Sequence, residues 1–76
     1  QDVIRQVCLP AAGDQFAAAE LVELINTRRA ALLRAKVFLS KEVKSGEAHM
    51  DEETMNILGL TELDTVWIRP LKIRGS

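Results

Sequence analysis

The sequence predicts a small α+β domain in the order strand, helix, strand, strand, helix, strand, with a sheet of three or four strands. Three observations carry that prediction. Residues 46–70, GEAHMDEETMNILGLTELDTVWIRP, combine a helix cap, a helix-ending glycine and an alternating strand in one short unit. β-Branched and apolar residues gather in two further stretches, 2–9 and 36–43. Between these two, residues 14–30 are rich in Ala, Leu, Glu and Arg, the composition of a helix.

The first strand is DVIRQVCL, residues 2–9, with Val3, Ile4, Val7, Cys8 and Leu9 as its bulk. Pro10 ends it, because proline has no N–H with which to continue a ladder. Ala11-Ala12-Gly13-Asp14 has turn chemistry, and Asp14 can cap the next element. A helix over about 14–30 would place Leu21, Leu24, Ile25 and Arg28 on one face. In the competing reading, residues 20–25 are a strand, 26–29 a turn and 30–39 a returning strand, so the middle of the chain is a hairpin. The alanine content argues against that hairpin. Residues 36–43, KVFLSKEV, are a strand in both readings, with Val37 and Leu39 on one face and Phe38 on the other.

Lys44-Ser45-Gly46 then turns the chain into the 46–70 unit. Glu47, Ala48, His49 and Met50 make a short strand, Asp51 caps a helix, and Gly59 ends it by taking the left-handed conformation. Residues 61–64 turn into the strand Thr65-Val66-Trp67-Ile68, in which Trp67 points away from Val66 and Ile68. Pro70 confines that strand to a sheet edge or a bulge, and Leu71-Lys72-Ile73 resumes extended chain.

A chain of 76 residues is one domain, spanning 1–76, and buries only about 60% of the surface its unfolded form exposes. A partner or a second copy would cover more. The 47% apolar content rests on Ala, Leu, Val and Ile, with Phe16, Phe38 and Trp67 as the aromatics. Ten basic against eleven acidic residues give a net charge of −1, so no global field draws the chain to nucleic acid or to an acidic membrane. A single cysteine, Cys8, cannot form an internal disulfide, which points to a cytoplasmic setting. No apolar run approaches the ~20 residues of a membrane span. The missing initial Met and the ending Arg74-Gly75-Ser76 suggest a domain excised from a longer protein.

Gly46, Asp51, Leu58, Leu60, Asp64, Val66, Ile68 and Pro70 follow one another in the spacing of a half-repeat of the double-psi barrel. Over residues 37–70 the chain resembles the N-terminal domains of AAA ATPases of the valosin-containing-protein and peroxin type. The same grammar occurs in AbrB-like swapped-hairpin DNA-binding proteins and in molybdopterin-dinucleotide-binding barrels. The resemblance implies a small double-psi-like β-barrel as the alternative fold, and either adaptor binding or dimeric DNA binding. The whole chain also resembles the phosphocarrier HPr, with residues 16–22 as its first helix and 55–68 as its second helix and last strand. Asp14, Gln15 and Phe16 stand where that family carries its phosphorylated His, so phosphotransfer is not implied.

The residues offer little chemistry. His49 is the sole histidine and needs an orienting partner to act as a base; with Cys8 it forms no short-range ligand pair, so no metal and no cofactor is expected. Asp51, Glu52 and Glu53 suit a helix start. Arg28, Arg29, Arg34 and Lys36 are the densest basic group and can meet phosphate or an acidic partner. Trp67 can anchor another protein. The expectation is a non-catalytic protein-interaction module, a substrate- or adaptor-binding domain that uses a sheet edge, Trp67 and the basic group. An AbrB-like DNA-binding homodimer and a regulatory HPr-like protein are the alternatives.

Overall fold

In the computed structural model, which describes residues 3–75, the chain runs β1 (Arg5–Pro10), β2 (Ala19–Asn26), β3 (Ala31–Ser40), α1 (Glu52–Leu58) and β4 (Trp67–Ile73). The four strands form one mixed sheet in the order β1-β3-β2-β4. β2 and β3 are a hairpin, β4 adds antiparallel to the free side of β2, and β1 lies parallel to β3.

The helix expected over residues 14–30 does not form. Residues 14–18 make a turn stabilised by the Asp14 carboxylate, which accepts the Phe16 N–H at 2.8 Å, and β2 begins at once. Within β2, Val22, Leu24 and Asn26 are buried while Leu21, Glu23 and Ile25 are half-buried, a period of two. Helix propensities differ by only a few tenths of a kcal/mol per residue, and a strand paired on both edges overrides them. The competing hairpin reading matches the observed elements. The first helix on which the HPr likeness rests is a strand here, and the order is strand, strand, strand, helix, strand. The expected short strand at residues 47–50 reduces to one bridge, His49 with Cys8, whose backbone bonds measure 2.8 and 2.9 Å.

One face of the sheet carries the core. Val7 and Leu9 of β1, Val22 and Leu24 of β2, and Ala35 and Val37 of β3 pack against Leu58 and Leu60. Arg5, on the same face, donates from Nε to the buried Thr54 hydroxyl at 3.0 Å, and its Nη2 meets Asp51 and Glu53 at 3.4 and 3.3 Å. α1 is therefore tied to the sheet at its first turn.

Both ends of α1 close as the sequence predicts. The Asp51 carboxylate accepts the Thr54 N–H at 2.8 Å, and Gly59 takes φ 73°. The Gly59 and Leu60 N–H groups donate to the Asn56 and Met55 carbonyls at 3.1 and 2.9 Å, the paired bonds of a Schellman closure. The Leu58 carbonyl is left over, and the buried Asn26 at the end of β2 fills the gap by donating from Nδ2 at 2.7 Å. Among the described residues no helix is long and apolar enough to cross a membrane.

Candidate interaction surface

α1 and the segments around it cover one face of the sheet; among the described residues the other carries no second layer, and the molecule is only 18 Å thick in its shortest dimension. The strand register arranges the side chains of that open face in four rows. Trp67, Ile25 and Leu32 make an apolar row across β4, β2 and β3. The next row is Arg69, Glu23 and Arg34, and the third is Lys72, Leu21, Lys36 and Gln6. The fourth is Phe38, Cys8 and His49. Trp67 is 63% exposed, Leu32 58% and Phe38 46%, so the two ends of this surface are apolar and open to water.

The middle of the face is charged. Glu23 accepts two bonds from Arg69, at 2.7 Å from Nη2 and 3.1 Å from Nε, and Lys72 lies 3.9 Å from Glu20. Arg69 and Lys72 are thus each paired with a carboxylate of β2, and Arg34 and Lys36 share the same face. Glu52 and Glu53 lie exposed on the first turn of α1.

The basic group read from the sequence is split by the fold. Arg34 and Lys36 share the open face with Trp67, whereas Arg28 and Arg29 occupy the β2–β3 turn at residues 27–30. Arg28 pairs with Asp64 at 3.6 Å, and the Arg29 side chain lies against Gly59. Asp64 accepts the Thr61 N–H and hydroxyl at 2.8 and 3.0 Å, which with the Arg28 charge hold its carboxyl below the usual range. The two arginines therefore lie beside the 61–64 turn and the end of α1, away from the open face. β4 is an edge strand, as the sequence predicts, but Pro70 removes a donor from its middle, and a partner strand would find an interrupted ladder there.

Two other places were candidates for chemistry. Cys8 and His49 are brought side by side by their bridge, an adjacency invisible in the sequence, but among the described residues no hydrogen bond joins the thiol to the ring. The ring instead meets Glu47 at 3.2 Å, and this contact, with the Lys44 N–H, holds the Glu47 carboxyl below its ordinary value. A solvent-open cleft of about 820 Å³ on the helix side has Phe16, Met50, Met55 and Val66 in its wall. No group of three His, Cys, Asp or Glu among the described residues is placed to hold a metal ion.

Sequence reasoning missed Ile25, Leu32, Phe38, Glu23, Arg69 and Lys72 as members of one surface. The signal was present as alternation in 21–25 and 32–38, which sends Leu21, Glu23, Ile25, Leu32, Arg34, Lys36 and Phe38 to one side once both segments are strands. Comparison with protein-family models, with characterised proteins and with solved structures returns no match to this chain.

Proposed function

We propose that this domain is a non-catalytic protein-interaction module that binds another protein through the open face of its sheet, as a substrate- or adaptor-binding domain of a larger assembly. The observation that carries the reading is the apolar row in which exposed Trp67 and Leu32 flank half-buried Ile25, on a sheet face that no second layer of the described residues covers. Contiguous exposed apolar side chains on a sheet face are costly in water and mark contact sites.

The test is affinity capture with the wild-type domain and with Trp67→Ala, the fold of each followed by circular dichroism. Trp67 is mostly exposed, so the variant is expected to stay folded and to lose the captured partner. Unchanged capture would remove Trp67 as the anchor. The cation-rich rows favour one second reading, AbrB-like DNA binding by a homodimer. It predicts binding to duplex DNA that falls steeply with salt, and no mobility shift at low salt would end it.

A further inference from the structure

We infer that the cleft on the helix side receives an extended segment of another protein, in which apolar residues alternate with lysine or arginine, and that this segment adds as a strand to the 47–50 margin of the sheet. The inference does not rest on the reading of the open face. Three observations carry it.

Backbone chemistry comes first. The bridge of His49 with Cys8 uses both backbone groups of His49, at 2.8 and 2.9 Å, and attaches residues 47–50 to the side of β1 that β3 leaves free. Along an extended chain alternate residues direct their N–H and C=O groups to opposite sides, so those of Ala48 and Met50 point away from β1. Among the described residues these groups make no hydrogen bond. An unpaired margin of this kind is a template for a further strand. Ala48 and Met50 both stand in the wall of the cleft.

Shape comes second. The cleft measures about 820 Å³, within the ~300–1,000 Å³ of clefts that bind ligands. Phe16, Met50, Met55 and Val66 line it and are only half-buried, and Leu63 beside them is 97% exposed. The two methionines can adjust to an incoming apolar group. A strand sends alternate side chains to opposite sides, so it would seat its apolar residues on this wall and hold the others at the rim.

Charge comes third. The wall holds four carboxylates, Asp14, Glu47, Glu62 and Asp64, and no lysine or arginine. Two of the four are already matched: Asp64 by Arg28 at 3.6 Å, and Glu47 by the His49 ring at 3.2 Å with Lys44 close by. The Asp14 carboxylate accepts the Phe16 N–H, and neither Asp14 nor Glu62 has a cationic partner among the described residues. These two favour lysine or arginine on the incoming strand. A second copy that paired its own 47–50 margin here would oppose carboxylate to carboxylate, which costs binding energy.

The test is peptide titration of the 76-residue chain at pH 7, followed by NMR together with amide hydrogen exchange. Two peptides of about seven residues are compared, with valine alternating with lysine in one and with glutamate in the other. The lysine peptide is expected to bind about tenfold more tightly, from two exposed ion pairs gained and the matching repulsion avoided, and to slow exchange of the Ala48 and Met50 amides at saturation. Asp14→Asn/Glu62→Gln, which keeps the acceptor for the Phe16 N–H, is expected to bring the two affinities to within about twofold of each other. Equal affinity of the two peptides for the wild-type chain would overturn the basic assignment. Binding that leaves the Ala48 and Met50 amides unprotected would overturn strand addition. No binding of either peptide at millimolar concentration would overturn the site, with the open face still decided by the capture experiment. Protection of the same amides that grows with domain concentration alone would identify a second copy as the occupant and replace the inference.

Discussion

Replacing Asn26 by alanine and, separately, by aspartate tests whether one buried amide joins the end of β2 to the end of α1. Asn26 is 5% exposed; its Nδ2 donates to the Leu58 carbonyl at 2.7 Å and its Oδ1 accepts the Arg28 N–H at 3.1 Å. Asn26→Ala removes two hydrogen bonds and leaves the Leu58 carbonyl unpartnered, a loss of about 2–4 kcal/mol. A domain of this length has a total stability of roughly 4–11 kcal/mol, so the variant should lose a large part of it. The expected fall in Tm is about 8–32 °C at about 4–8 °C per kcal/mol. Asn26→Asp has nearly the same shape and keeps the acceptor for Arg28, but at neutral pH it turns a carboxylate oxygen toward the Leu58 carbonyl. Burial favours the protonated acid, which can still donate to that carbonyl, so the folded pKa of the new group lies above its unfolded value. Relative to wild type, its penalty is therefore smallest below about pH 4 and grows as pH rises above the unfolded value. Urea denaturation of wild type, N26A and N26D at pH 3.5, 5 and 7 measures this. Equal, pH-independent losses for the two variants, or a loss below about 0.5 kcal/mol for N26A, would refute the account of the Asn26 bridge.

Other contacts carry expectations of their own. Arg5→Ala strips the donor from the buried Thr54 hydroxyl and should cost about 1–3 kcal/mol in urea denaturation, whereas Glu53→Gln, at the exposed end of the same contact, should cost under about 1. Gly59→Ala should destabilise by about 1–2 kcal/mol because its φ is positive, the nearby Arg29 side chain being able to swing aside. Ala30, at φ 54° in the β2–β3 turn, predicts the reverse: Ala30→Gly should raise the urea midpoint, by roughly 0.5–1 kcal/mol of stability. Hydrogen bonds from the Thr54 side chain and backbone, and the Arg5 charge, hold the Asp51 carboxyl below its ordinary value; Glu47 and Asp64 are lowered as well. Their contribution is fully present above about pH 5 and is lost as pH falls through 4 and below, so Tm should decline in acid, and less steeply in Asp51→Asn.

The helix of the 46–70 unit, with its two caps, was legible in the sequence because its determinants are local, whereas the strands on either side of it were not: the one at 47–50 reduces to a bridge and the later one runs 67–73 rather than 65–68. A cap at Asp51 and a left-handed Gly59 act through bonds to residues at most four positions away. The 14–30 region was misread because what decides it is distant. Leu21, Leu24 and Ile25 suit one helical face, and only β3 on one edge and β4 on the other divide them between two faces of a sheet. The candidate surface shares that history. Trp67, Arg34 and Lys36 were read individually, but the rows that unite them with Ile25, Glu23 and Phe38 exist only once the strands are in register. Arg28 and Arg29 looked like part of the same group because they are close in sequence, and the hairpin turn carries them to the end of α1 instead.

The parallel pairing of β1 with β3, within a sheet otherwise antiparallel, has a consequence for folding kinetics. The β2–β3 hairpin closes through a four-residue loop, whereas Arg5 meets Ala35 across 30 residues and Trp67 meets Ile25 across 42. Loop closure favours the hairpin as the first structure to form, with the two outer strands joining it afterwards. Ala30→Gly in the turn should then act mainly by accelerating refolding, while a core truncation in β4, Ile68→Val, should act mainly by accelerating unfolding. The strand bearing Trp67 is thus expected to be the last to arrive and the first to leave.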